Sequence, residues 1–129
     1  MQPILGKWSE PPYPLLRIVV GSLFACHGAQ KLFGVLGWAG PGRAHGLMLV
    51  AGLIEFGCGV LMAFGLFASP AALLASGEMA DAYFMAHCPQ GIWPIRNKGE
   101  LAVAYCFLFL YISSRGAGAF SIDRVMAKK

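Results

Sequence analysis

Charge is scarce in this sequence. Acidic and basic residues make up 12% of its 129 positions, against about 25% in a soluble domain. The basic residues are scattered, with no run and no aromatic-interleaved patch, which argues against a nucleic-acid binder. Cysteine occurs four times, but never as CxxC or CxxCH, and HExxH is missing too. The usual signatures of thiol exchange, haem attachment and zinc peptidase chemistry are therefore absent. No lipidation pattern is present. The opening stretch MQPILGKWSEPPYP has neither a continuous apolar run nor a small-residue cleavage site. A removable signal peptide is not expected, and the first apolar run would itself serve as the insertion signal. What the chain has in quantity is hydrophobicity: 57% of residues are hydrophobic, and the mean hydropathy is +0.63.

The apolar residues gather into four runs. A spanning helix needs about 20 apolar residues, so four spans would use most of the chain. The fold expected is all-α: an integral membrane four-helix bundle forming one domain over residues 1–129. The spans are predicted at about residues 14–36, 45–67, 70–87 and 100–114. Pro14 suits the first turn of a helix, where its missing N–H matters least. GWAGPG (37–42) reads as a turn, and Ser69–Pro70 as a very short hairpin. Cys88–Lys98, with two prolines and a glycine, reads as a longer exposed loop. Gly116 and Gly118 end the fourth run, and Ser121 can cap a short terminal turn containing Asp123. Trp8, Trp38, Trp93 and Tyr13 fall just outside the predicted spans, at the headgroup level that amphipathic rings prefer. Lys7, Arg115, Arg124, Lys128 and Lys129 share one side with both termini, which places the termini in the cytoplasm of a bacterial inner membrane. A water-soluble bundle would need a polar stripe on every helix, and LMLVAGLIEFGCGVLMAFGLF has none.

Ionisable residues nevertheless sit inside these runs: Arg17, His27 and Lys31 in the first, Glu55 in the second, Glu78, Asp81 and His87 in the third. Glu100 opens the fourth. A charge at membrane depth costs on the order of 2.5–3.5 kcal/mol even on lenient insertion scales, so it persists only when paired or facing a polar cavity. Arg17, His27 and Lys31 lie within roughly 80° of one another around a helix, with Lys31 about 21 Å beyond Arg17. Arg17 is thus expected to snorkel or pair structurally at the inner face. Ala51, Glu55, Gly59 and Ala63 share one face of the second run, and Ala71, Ala75, Glu78 and Ala82 repeat the device in the third. Small residues at this spacing let helices approach closely and point the acids at a neighbour.

Two uses of these groups compete. Glu55 and Glu78 can simply neutralise His27 or Lys31 and hold the bundle together. Alternatively, His27, Lys31, Glu55, Asp81, His87 and Glu100 line a polar site in the central and outer membrane, able to bind a quinone head group or relay protons. His87 is nearly opposite Glu78 on an ideal helix, and joins the site only if the helix end unwinds. His27, His45 and His87, with Cys26 and Cys88 beside two of them, raise metal or haem ligation, but the spacing motifs that would support it are missing. No metal or haem is expected. Cys26, Cys58 and Cys106 read as small hydrophobes, and Cys88 as a thiol at the outer surface.

The order of these pieces resembles the DoxX family of bacterial four-span membrane proteins over nearly the whole chain. The matching residues are Arg17, then His27-Gly28-x-x-Lys31-Leu32-Phe33-Gly34, Gly52-x-x-Glu55 with Gly59, and Gly65-Leu66. Met79, His87 and Glu100 follow, and then the tail Gly116-Ala-Gly118-Ala-Phe-Ser121-Ile-Asp123. The resemblance implies a membrane subunit of a quinone-linked redox system, of the kind tied to sulfur-compound:quinone oxidoreduction. It favours a role for His27, Lys31, Glu55, Glu78 and His87 around a quinone or a redox relay, with His27, Glu55 and Glu78 as the catalytic candidates. A partner subunit would supply the remaining chemistry, and the expected partners are the lipid bilayer and either partner subunits or a homo-oligomer. The competing expectation is a non-catalytic assembly subunit of a larger respiratory or photosynthetic complex.

Overall fold

Glycine and proline set the helix ends. The structure, a computed structural model, describes residues 2–8, 10–37, 40 and 44–129. Trp38, Arg43 and most of the GWAGPG turn lie outside the described residues. Helix α1 runs Pro12–Phe33 and stops at Gly34, whose left-handed φ of 66° lets its N–H reach the Gln30 carbonyl. Helix α2 runs Leu47–Phe64 and stops in the same way at Gly65, φ 67°. Helix α3 runs Ala68–Ala82 and continues through a wide π turn, Tyr83–His87. A 3₁₀ turn at Cys88–Gln90 and the short helix α4, Pro94–Asn97, lead to α5, Glu100–Arg115, and α6, Ile122–Met126. Among the described residues all regular structure is helical.

One local expectation needs correction. Ser69–Pro70 is not the hairpin: both residues lie in the first turn of α3, and the reversal falls at Gly65–Phe67. Proline is tolerated there because the first-turn N–H groups have no partner within the helix. The 88–98 segment is largely exposed, as expected, but it is ordered by a 3₁₀ turn, the short helix α4 and one buried side chain. Asn97 is buried, donates to the Gly91 carbonyl at 2.6 Å and accepts from Gly99 N–H at 2.8 Å. It folds the segment back on itself.

Helix α1 packs most closely on α2, and α3 on α5. The first contact depends on missing side chains. A Cβ on Gly28 would collide with the backbone of Phe56, and one on Gly59 with the backbone of Ala25. Gly28→Ala is therefore expected to cost about 1–3 kcal/mol by overpacking, read as a lower melting temperature in detergent. Gly57→Ala is the control, since a Cβ there meets nothing within 4 Å. The α3–α5 contact uses Ala68, Ala72 and Ala75, all fully buried. Ser76 and Ser69 donate across it to the carbonyls of Cys106 and Ser113 at 2.8 and 2.7 Å. Phe24 and Phe109 meet at the centre, ring centroids 4.6 Å apart.

The end of the molecule that carries the termini is closed by a polar lock. Arg17 is 0% exposed. It donates to the carbonyls of Met62 and Ala63 at the end of α2, and to those of Phe120 (2.9 Å) and Ala119 (3.3 Å) in the tail. Tyr13 donates to the Gly116 carbonyl. Asp123 accepts from the N–H groups of Phe67 and Ala68 at 3.0 and 3.2 Å, capping α3. Ser121 caps α6, as its place in the sequence implies, by accepting from Arg124 N–H. Arg17 therefore does not snorkel: it is held inside by helix-end and tail carbonyls, not by a carboxylate.

Large apolar side chains are exposed on all four long helices, among them Leu15, Val19 and Leu23 on α1, Leu53 on α2, Leu73 and Leu74 on α3, and Phe107 on α5. Among the described residues, α2 is the one helix long and apolar enough by itself to cross a membrane, with a mean hydropathy of 2.2.

Candidate functional site

The glycine-mediated approach of α1 and α2 brings Lys31 onto Glu55. Lys31 Nζ donates to both carboxylate oxygens, at 2.6 and 2.5 Å, with the side chains 15% and 5% exposed. The sequence alone leaves the partner of Glu55 open between His27 and Lys31. The close approach at Gly52 decides for lysine, since Lys31 Cβ lies against that glycine.

Helices α2 and α3 are joined by the tight turn at 65–67 and leave an open-sided cleft of about 1300 Å³ between them. Its rim is apolar, with Val50, Leu73, Leu74 and Met85 on the two helices. Its base is polar and gathers His27, Lys31, Glu55 and Glu78, with Tyr105 of α5 beneath. The His27 and Tyr105 rings meet edge to face, centroids 6.3 Å apart. Glu78 Oε2 is buried and has no hydrogen-bond partner among the described residues. Buried polar atoms are nearly always paired, so such an exception needs an explanation.

Asp81 and His87 also line the cleft, towards the end that carries the 88–99 loop, with His45 and Lys98 beside them. His87 gets there by the unwinding its position requires. The π turn at Tyr83–His87 inserts an extra residue into the last turn of α3 and swings the ring round. Its Nδ1 then lies 3.0 Å from the Asn97 carbonyl. Glu100 is the one candidate that does not belong. It is exposed and absent from the cleft lining. As the first residue of α5 it instead places negative charge at a helix N-terminus.

Tyr105 and Asn97 escape a reading of the sequence. Tyr105 lies in AVAYCFLFL, where an aromatic reads as core, and its hydroxyl is the one signal there. Cys26, Cys58, Cys88 and Cys106 are free thiols, and of these only Cys58 is buried. Among the described residues, no three His, Cys, Asp or Glu side chains come together as a metal centre requires. The arrangement suits an amphipathic ligand. The apolar trench can receive a lipophilic body, and the base offers a donor ammonium, an imidazole and an unsatisfied carboxyl to a polar head.

Comparison with known proteins points to one family. The DoxX family model matches residues 14–88. An uncharacterized protein of Haemophilus influenzae is 44% identical, over 92% of this chain and 94% of its own. The inner membrane protein YqjF of Escherichia coli is 32% identical, over 88% and 90% respectively. An uncharacterized membrane protein of Mycobacterium tuberculosis, Rv3486, is 24% identical, over 98% and 88%. No solved structure matches.

Proposed function

The chain belongs to the DoxX family of membrane proteins, and from that premise we propose that it is a four-span inner-membrane subunit whose cleft binds a quinone head group in a redox system. The exposed apolar faces on all four long helices support four spans. At 1.5 Å per residue, α1 is about 33 Å long and α5 about 24 Å, close to the 30 Å of bilayer hydrocarbon. The basic residues around the termini favour a cytoplasmic placement for both.

The observation that carries the reading is the unpartnered Glu78 oxygen at the base of a cleft with an apolar side opening. A bound quinone accepts hydrogen bonds at its carbonyls and exchanges protons there. His27, and Glu78 when it carries a proton, are placed to donate, while Lys31, tied to Glu55, holds positive charge nearby. A partner subunit would deliver the electrons, including any drawn from a sulfur compound.

A second reading, assembly of a larger complex without chemistry, gains from the closed Lys31–Glu55 pair, which neutralises itself. It leaves Glu78 unexplained. To test the two, the protein is purified with its native lipids and the lipophilic molecules are extracted. The wild type is expected to hold quinone in near-stoichiometric amount. His27→Ala and Glu78→Leu each remove a hydrogen bond to the head group, worth about 1.5 kcal/mol, and should hold roughly tenfold less with melting temperatures retained. A quinone-free protein in a stable complex sinks the first reading.

A further inference from the structure

The polar base of the cleft has polar neighbours towards one end of the molecule and an apolar plug towards the other. We infer that water and protons reach it only from the compartment facing the 88–99 loop. The use of those protons rests on the quinone reading, but the geometry of access does not.

On the loop side the groups form a sequence. Asp81 follows Glu78 by one helical turn and is exposed. His87 comes next, turned inward by the π turn, and His45 and Lys98 flank the mouth from the neighbouring segments. A proton leaving Glu78 thus meets Asp81, and then water at the mouth.

On the terminal side the path ends. Phe24, Met62 and Phe109 are fully buried and fill the space below Glu55 and Glu78. Arg17 lies ten residues before His27, about 15 Å along α1. Its described hydrogen bonds all go to carbonyls. Ser76, the buried hydroxyl on α3 below Glu78, donates to the Cys106 carbonyl. Among the described residues, the polar groups that share the cleft with Glu78 below Asp81 are His27 and Lys31 from α1, Glu55 from α2 and Tyr105 from α5. The buried Cys58 of α2 lies near Glu78, and the plug of Phe24, Met62 and Phe109 lies beyond them. The open side between α2 and α3 is rimmed by leucine and valine, so it admits an apolar tail and not protons. Tail and proton therefore enter by different doors. With both termini cytoplasmic, the proton door opens to the outer compartment.

The test adds one cysteine at a time to the full chain carrying Cys88→Ser, and that parent, with Cys26, Cys58 and Cys106 still present, is the blank. Gly77→Cys suits the purpose because a Cβ there meets nothing within 4 Å and the position lines the cleft one turn before Asp81. Asp81→Cys is the second probe, and Ala127→Cys marks the side of the termini. Spheroplasts and inverted membrane vesicles are treated with a charged, membrane-impermeant maleimide, and melting temperatures verify folding. Both cleft cysteines are expected to label about tenfold faster from the face opposite Ala127→Cys, because only a wetted thiol ionises and reacts. Labelling from the Ala127→Cys face at an equal or greater rate overturns the inference, as does no labelling from either face. The quinone content of the wild-type protein is read separately. One-sided labelling without quinone removes the redox reading and leaves the one-sided mouth standing, and quinone with labelling from both faces does the reverse.

Discussion

Arg17→Leu is expected to lower stability by about 3–5 kcal/mol, since each buried carbonyl left without its donor costs about 1–3 kcal/mol. The guanidinium serves four carbonyls, of Met62, Ala63, Ala119 and Phe120. Two of these belong to the end of α2, where the last carbonyls of any helix lack an internal partner. Arg17 is buried, so no water replaces the lost donors, and although Met62 keeps the Gly65 N–H, the carbonyls of Ala63 and the tail lose theirs. Lysine is a poor substitute, because a compact ammonium cannot fork between helix end and tail. Thermal unfolding in detergent should show a large downward shift for both Arg17→Leu and Arg17→Lys. Trypsin should cut the mutants near Arg115 and Arg124 long before the wild type. Asp123→Ala removes only the cap on α3 and should cost about 1 kcal/mol. If Arg17→Leu melts within a few degrees of wild type and keeps its tail protected, the lock is not held by this side chain.

The lock also shows where sequence reading works and where it stops. Helical periodicity separates Arg17 from His27 and Lys31 by axial distance alone, and the small-residue stripe on α2 marks its contact with α1 at Gly59. Of the stripe expected on α3, by contrast, only Ala75 is among the fully buried alanines packed on α5, and Glu78 and Ala82 line the cleft. What periodicity cannot supply is the rotation of one helix about another. The choice of Lys31 rather than His27 for Glu55 depends on how far α1 sinks onto α2 at Gly28 and Gly59, a tertiary quantity. Snorkelling or pairing is the natural expectation for Arg17, and carbonyl partners from a segment about a hundred residues away leave no trace in local pattern. His87 is legible only as a condition, since a π turn has no strong sequence signature. Glu100 fails for a plainer reason. An acid at the start of a helix is favoured by the helix dipole wherever it points, so its position carries no information about the cleft. Tyr105 and Asn97 are hidden because an aromatic in an apolar run and an amide in a loop each have a common structural use.

The Lys31–Glu55 pair allows glue and ligand site to be separated. Lys31→Met and Glu55→Met are each expected to cost about 3–5 kcal/mol, because each strands a buried charge that had one strong partner. The double variant Lys31→Met/Glu55→Met strands neither. Methionine has nearly the length of both side chains and adapts to the gap, so stability should return to within about 1 kcal/mol of wild type. The coupling energy of this cycle, measured by melting in detergent, should therefore be several kcal/mol and favourable to the pair. The quinone content expected from the proposed function supplies the second readout. If the pair only holds α1 to α2, the double variant recovers both its melting temperature and its quinone. If the ammonium and carboxylate also present the head group to His27 and Glu78, stability returns while quinone content stays roughly tenfold down, the loss of about 1.4 kcal/mol of binding. The second outcome is the one expected. Both side chains line the cleft where a head group would meet them, beside a Glu78 oxygen that neither of them satisfies.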